Sequence, residues 1–431
     1  MEGFAAFGSL GMTLVLVTMR PRVGRFGRLN PVFGALPGVV IMLAFGVLAP
    51  KDLVRALVLL WRPFITLASI MATTSVAHRM GIFDRISRSI EIRTRGPVQR
   101  AFATVYVISS VTAALFNNDA AILLLTPIVI PVIRRLYPVR TYLVIPFSFA
   151  VFMAAGVAPL CTSNPMNLVV AEHAGIGFNS YALRMIPVSL AGAVVTYVMM
   201  RIAFKKELED PVRASGREIG SLADLGESPR IVLAIVVAMF ASYPILSYFD
   251  APVWLAALTG AVLTTGVGMK ARTIQPADAA RGVAWDILAF LFFIFVTALG
   301  LENIGVTNTM ARLYGADTAH ASHGIAVIGG VSALGSAVIN NHPMAALNAL
   351  AIGSLEGDNR FRTLAALVGG DLGPRLLPIG SLAGLLWLEM TRRLGVEIRA
   401  MQFVRVGAIV TLPTLVVSLL VLYLESWLFP S

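Results

Sequence analysis

Cysteine is almost missing from this chain, and charge is scarce. A single cysteine, Cys161, among 431 residues excludes an intramolecular disulfide and any multi-thiolate metal site within one chain. Charged residues make up 13% against 57% hydrophobic, and the mean hydropathy is +0.81. A soluble globule needs about twice that share of charge for its surface alone. No Gly-Lys-Ser/Thr phosphate loop is present, so the sequence offers no ATP chemistry of its own. What it does offer is a succession of apolar runs from Phe4 to Leu428 with no water-soluble domain between them. Roughly 20 residues span about 30 Å of hydrocarbon, and the runs reach that length. The chain therefore reads as an all-α polytopic membrane protein. Its net charge of +11 resides in short loops between spans, which points to orientation in the lipid bilayer and not to nucleic acid. The first run, Phe4 to Met19, carries its arginines after it and lacks a small-residue cleavage site, so it reads as a retained span and not a signal peptide.

Two polar interruptions break the apolar pattern about half the chain apart: Phe116-Asn117-Asn118-Asp119-Ala120-Ala121 and Ile339-Asn340-Asn341-His342-Pro343-Met344. An unpaired amide or carboxylate costs several kcal/mol in hydrocarbon, so polar clusters at membrane depth persist mainly where they line a binding cavity. Loop arginines place these interruptions. Clusters after the first run (Arg20, Arg22, Arg25, Arg28), before the first doublet (Arg79, Arg85, Arg88, Arg93, Arg95, Arg100) and after it (Arg134, Arg135, Arg140) all fall on the cytoplasmic side by the positive-inside bias. A full crossing over 101–134 would put its flanks on opposite sides, so the segment reads as a re-entrant hairpin. Ala101 to Phe116 makes a half-helix of about 24 Å at 1.5 Å per residue, which reaches mid-bilayer.

The following stretch, 142–171, is too long for one straight span and carries Cys161-Thr162-Ser163-Asn164-Pro165-Met166-Asn167, so a helix broken at depth is expected. A final span leads to a mixed-charge cytoplasmic linker over 205–230. Beyond it the order repeats: three spans (about 231–248, 252–269 and 283–301), a hairpin over 323–354, a broken helix over 361–390 interrupted at Gly369-Gly370-Asp371-Leu372-Gly373-Pro374, and a last span. The sequence thus predicts a first repeat over 1–204 and a second over 231–431, about ten transmembrane helices plus two re-entrant hairpins. Five crossings per half insert the second half upside down and leave both termini extracytoplasmic. Inverted repeats with broken helices meeting near the midplane are the architecture of secondary transporters.

Each polar residue has a chemical and a structural reading. Asp119 can ionise at depth only with support from water, a cation or fixed donors, which makes it a candidate proton carrier; alternatively it caps the second half-helix. Asn117, Asn118, Asn340 and Asn341 offer donors and acceptors without net charge, suited to a neutral polyhydroxyl solute, or they satisfy broken backbone groups. Thr162, Ser163, Asn164 and Asn167 form a similar polar ring in the first broken helix. His342 occupies the place that Asp119 holds in the first doublet, and could titrate or donate to a backbone carbonyl. Asp371 and Arg375 stand one turn apart and read as a paired charge stabilising the break, or as a coupling site. Cys161 reads as a small packing residue or as a ligand for a thiophilic metalloid. Arg62, Arg184, Asp286 and Glu389 read as interfacial or structural.

At these residues the chain resembles the arsenite/antimonite efflux permease family of the ion-transporter superfamily. The resemblance is carried by Ala114-Leu115-Phe116-Asn117-Asn118-Asp119-Ala120-Ala121, Leu125-Thr126-Pro127, Ser163-Asn164-Pro165-Met166-Asn167, Asn340-Asn341-His342-Pro343 and the long run from Gly370 through Ser381 to Leu388. It implies an inverted-repeat fold in a bacterial or archaeal cytoplasmic (inner) membrane. It also implies extrusion of trivalent arsenic or antimony as the uncharged hydroxide in exchange for protons, sometimes with a cytoplasmic arsenite-stimulated ATPase subunit, with no cofactor and no reliance on cysteine. Substrate contact is then expected at the Asn tips, the first broken helix and Ser381, and proton coupling at Asp119, His342 and Asp371. The energetics allow it: one charge moving inward through about 150 mV releases roughly 3.5 kcal/mol, a gradient of a few hundredfold for a neutral solute.

Rival readings are a carboxylate or sodium-coupled carrier, which would show Ser-Asn-Thr tips, and a passive channel. An intramembrane aspartyl protease is a rival from another class; its Gly-x-Gly-Asp pattern fails because Val368 stands at the first glycine position.

Overall fold

The computed structural model describes residues 2–19, 21, 30–82, 85, 97–209, 226–315 and 321–429. Arg20, Arg22, Arg25, Arg28, Arg88, Arg93 and Arg95, and most of the linker expected over 205–230, lie outside them. Among the described residues the secondary structure is helical throughout, without a strand element.

The chain opens with α1 (Glu2–Met19), α2 (Pro31–Ala44) and α3 (Pro50–Arg79). Proline stands at the first position of both α2 and α3, where its missing N–H removes no helical bond. A helical pair follows, α4 (Val98–Leu115) and α5 (Asn118–Leu136), joined only by Phe116 and Asn117. Next come α6 (Val144–Ala154), an irregular stretch with a 3-10 turn at Cys161–Ser163, α7 (Pro165–His173), α8 (Phe178–Ala203) and the short α9 (Lys205–Leu208). The remainder comprises α10 (Glu227–Tyr248), α11 (Val253–Lys270), the short α12 (Pro276–Arg281), α13 (Trp285–Asn303) and α14 (Val306–Gly315). A second pair, α15 (Ala321–Ile339) and α16 (Asn341–Gly353), meets at Asn340. It precedes α17 (Arg360–Leu372), two 3-10 turns at Gly373–Arg375 and Pro378–Gly380, α18 (Leu382–Arg393) and α19 (Ala400–Leu428). Among the described residues, 7 helices are long and apolar enough to cross a membrane: α3, α4, α8, α10, α11, α13 and α19. With the shorter apolar helices they make an all-α polytopic membrane fold.

Packing in one half has its counterpart in the other. The helix pairs α4 with α5 and α15 with α16 each close on themselves, and each packs on the broken helix that follows, α6 and α17 respectively. The contacts then cross over: α5 packs on α18, and α16 packs on α7. The long helices α8 and α19 pack along each other, and α3 and α13 meet between the halves. Aromatic rings lock the first crossover, since Phe152 of α6 stacks on Trp387 of α18 at 4.6 Å between centroids, and Trp387 is fully buried.

One boundary differs from the sequence expectation. The second break does not begin at Gly369-Gly370, because α17 runs through both glycines to Leu372 and the irregular backbone lies from Gly373 to Ser381. These glycines serve close packing. A methyl group at Gly369 would meet the backbone oxygen of Gly329, and one at Gly373 would meet the backbone of Ala333, so α17 lies directly against α15. Of the charges read as structural, Arg62 pairs with Glu172 at 3.4 Å and Arg392 with Glu389 at 2.7 Å. Arg184 donates to Phe429 O at 3.3 Å, and Asp286 accepts from Asn30 Nδ2 at 3.2 Å.

Candidate functional site

Four helices begin at interruptions in the polar motifs, and a polar side chain caps each one. Asn117 Oδ1 accepts from the N–H of Asp119 at 2.8 Å and of Ala120 at 3.4 Å, opening α5. Asn164 Oδ1 accepts from Met166 N–H at 3.1 Å to open α7, and Asn340 Oδ1 accepts from His342 N–H at 3.3 Å to open α16. Ser381 Oγ accepts from Gly384 N–H at 2.9 Å to open α18. The Asn117 cap satisfies two of the donors that a helix start leaves free and each of the other caps one, and the remaining N–H groups carry the positive end of the helix dipole. Asp119 is therefore not the cap of α5; Asn117 is. At the second tip Asn340 has φ 76 and ψ 148, a positive-φ backbone that few side chains adopt.

Hydrogen bonds link tips to breaks within each half. Asn118 Nδ2 donates to Gly156 O at 3.2 Å, and Ser163 Oγ donates to Ala114 O, so the first tip is tied to the first break. Asn340 Nδ2 donates to Ile379 O at 3.3 Å and ties the second tip to the second break.

The two breaks are joined to each other by Asp371. Its Oδ2 accepts from Ala158 N–H at 2.9 Å and from Asn167 Nδ2 at 2.8 Å, and its Oδ1 accepts from Asn164 Nδ2 at 2.7 Å. Three donors from the first half thus surround one buried carboxylate from the second, an arrangement in which charge-assisted bonds are worth about twice neutral ones. Tyr181 completes the cluster, accepting from Asn167 at 2.8 Å and donating to Ala158 O at 3.1 Å. Tyr181 was not singled out in the sequence, where one tyrosine in an apolar helix carries no motif.

The expected pairing of Asp371 with Arg375 does not form. Arg375 is 2% exposed and donates through Nη1 to Thr196 Oγ1 at 3.3 Å, while Nε and Nη2 have no hydrogen-bond partner. One turn of separation pairs side chains only on a continuous α-helix, and the chain leaves α17 at Gly373.

His342 is buried, with Nδ1 3.1 Å from Asn340 Oδ1, Nε2 unpartnered and its ring edge-on to Phe290. Asn341 Oδ1 and Thr162 Oγ1 are likewise buried without partners. Cys161 is free and buried, and no group of three or more His, Cys, Asp or Glu with metal-binding geometry occurs among the described residues.

Asp119 is placed differently from Asp371. It is half-buried, and none of the described residues hydrogen-bonds its carboxylate. It faces a cavity of about 250 Å³ bounded by the first tip, the second half of α3 and the start of α13. Asn117, Thr74, Ser75 and His78 are the other polar side chains on its wall, and no Lys or Arg lines it among the described residues.

A bundle with discontinuous helices meeting at polar, mutually bonded breaks defines a membrane transporter and not an enzyme. The solved structure of the YdaH transporter from Alcanivorax borkumensis, described as having an unusual topology, shares the fold at TM-score 0.61 with 12% identity, covering 100% of this chain and 98% of that one. The chain belongs to the arsenical pump membrane protein family, whose model matches residues 5–428. It is 28% identical over 427 residues to an arsenical pump membrane protein of Escherichia coli, covering 96% of this chain and 97% of that protein. One from Yersinia enterocolitica is also 28% identical, over 423 residues with the same coverage. An uncharacterized transporter of Mycobacterium bovis is 27% identical over 423 residues, covering 92% and 94%.

Proposed function

We propose that this protein exports trivalent arsenic and antimony, as neutral hydroxides, across the cytoplasmic membrane in exchange for protons, by alternating access. The observation that carries the reading is the contrast between the buried Asp371 and the half-buried Asp119. Asp371 spends its acceptors on the other half, whereas Asp119 presents its oxygens to a cavity of about 250 Å³. A carboxylate so placed can exchange its proton for a solute hydroxyl, since both compete for the same lone pairs. Asn117 and the positive end of the α5 helix dipole supply further stabilisation of solute oxygen. The further solute contacts in this reading are Asn118, Thr162, Ser163, Asn164, Asn167, Asn340, Asn341 and Ser381, and His342 and Asp371 are the further proton-coupling groups.

The helix pairs α4/α5 and α15/α16 are re-entrant hairpins in this reading, entering from opposite faces. The halves 1–204 and 231–431 are inverted repeats joined by a cytoplasmic linker, with both termini extracytoplasmic. Alternating access then moves tips and breaks of one half against the other, with Asp371 as the tie that must be kept or remade. Any ATP-driven mode rests with a separate cytoplasmic ATPase subunit.

The lack of Lys and Arg among the described residues of the wall disfavours a carboxylate substrate, which needs cationic partners. Everted vesicles decide the matter. Imposed acid-inside pH gradients are expected to drive arsenite accumulation, and Asp119→Asn is expected to abolish it. Accumulation that survives Asp119→Asn refutes the mechanism, and citrate transport without arsenite transport refutes the assignment.

A further inference from the structure

The cavity faced by Asp119 has a second ionisable wall. α3 contributes Leu67, Ile70, Met71, Thr74, Ser75 and His78, whose spacing of three and four keeps them on one stripe of the helix. The stripe covers about 16 Å along the axis at 1.5 Å per residue. Its inner part is apolar. Its last turn is polar and ends in His78, which is exposed and immediately precedes Arg79 at the end of α3. That is the end the arginine distribution assigns to the cytoplasm. Beside it, Arg79 pairs with Asp278 of α12 at 3.4 Å, so the adjacent cation already has its counter-charge.

The volume, about 250 Å³, leaves room for several waters at roughly 30 Å³ each. Thr74 spends its hydroxyl proton on Ile70 O at 2.8 Å, which leaves lone pairs of its oxygen available to them. The wall of one cavity therefore carries both the Asp119 carboxylate, at the tip of the first helix pair, and the imidazole of the exposed His78.

We propose that His78 carries the proton between Asp119 and the cytoplasm, an inference that rests on the proton exchange proposed above. The Asp119 O–H bond breaks and its proton passes to a cavity water, which gives up a proton to an imidazole nitrogen of His78. The imidazolium returns that proton to bulk water, leaving Asp119 ionised and ready for the next solute. Only O–H and N–H bonds change, and no oxidant or reductant is required. Imidazole suits the task because one ring nitrogen can accept a proton while the other gives one up.

The test uses everted vesicles carrying the full chain, with two readouts. One is the initial rate of arsenite uptake driven by a pH gradient, and the other is arsenite-for-arsenite exchange without a gradient, which requires no net proton release. His78→Ala and His78→Gln are each expected to slow gradient-driven uptake about tenfold, to slow exchange far less, and to recover when imidazole is added to the medium. Gradient-driven uptake at the wild-type rate in His78→Ala overturns the inference. So does a parallel fall in both readouts without rescue by imidazole, which marks a packing role. Failure of the parent reading looks different: wild-type vesicles then accumulate no arsenite, or Asp119→Asn accumulates it normally.

Discussion

Replacing Asp371 with asparagine changes one atom and tests whether the two halves are held by charge-assisted hydrogen bonds. The amide oxygen can take the place of Oδ2 and keep the bonds from Ala158 N–H and Asn167 Nδ2. Its NH₂ then faces the NH₂ of Asn164, where an acceptor stood at 2.7 Å. Asn164 cannot relieve the conflict by turning its amide over, because its oxygen caps α7 through Met166 N–H; losing that cap costs about 1 kcal/mol. The substitution therefore loses one charge-assisted bond and weakens two others, a cost of about 2 kcal/mol. Asp371→Ala leaves three buried donors without an acceptor and costs about 4 kcal/mol. Reversible unfolding of the purified protein in mixed micelles measures both. A double-mutant cycle of Asp371→Asn with Asn164→Ala is expected to show a coupling of about 1.5 kcal/mol. Asp371→Asn at wild-type stability, or a cycle additive within about 0.5 kcal/mol, would refute the reasoning.

Gly373→Ala drives a methyl group into the backbone of Ala333 and must push the second break away from α15; a loss of about 3 kcal/mol is expected, read from the same unfolding titration. Cys161→Ala removes one buried thiol that forms no disulfide, so arsenite uptake in vesicles should stay within about twofold of wild type. A loss of transport there would return the metalloid-thiol reading to consideration.

Much of this architecture is legible in the sequence because the bilayer forbids polar groups without a purpose. The Asn doublets and Asn164-Pro165 stand out against apolar flanks, and each coincides with a helix start. The position of the second break was less legible, since glycine serves two ends. Gly369 and Gly370 read as helix breakers, yet Gly369 lets α17 approach α15 at backbone distance. Asp371 was read against Arg375 by proximity in sequence, whereas its partners Ala158, Asn164 and Asn167 come from the other half. A backbone N–H and a lone tyrosine such as Tyr181 leave no trace in a residue pattern. The cavity wall from α3 was equally hidden, because Thr74, Ser75 and His78 form no motif until Asp119 is placed opposite them.

The halves repeat in packing but divide the chemistry unequally, and the division has a consequence. Counting back ten residues from the caps Asn164 and Ser381 reaches Ala154 and Asp371, and counting back six reaches Ala158 and Arg375. The first break thus has small apolar residues where the second has a carboxylate and a guanidinium. Counting forward three reaches Asn167 and Gly384, so the amide that grips Asp371 has no side-chain counterpart in the second half. Moving the carboxylate across, by Ala154→Asp with Asp371→Ala, would therefore meet, at the matching positions, the hydroxyl of Ser381 and the backbone N–H of Arg375, two donors in place of three. At about 1.5 to 3 kcal/mol per hydrogen bond to a charged group, the missing one leaves the relocated tie too weak to hold the breaks together. The double substitution should consequently transport no better than Asp371→Ala alone in gradient-driven vesicle uptake. Recovery to half the wild-type rate would show that the carboxylate matters only for its charge near the crossing, and that the donor set of the first break is incidental.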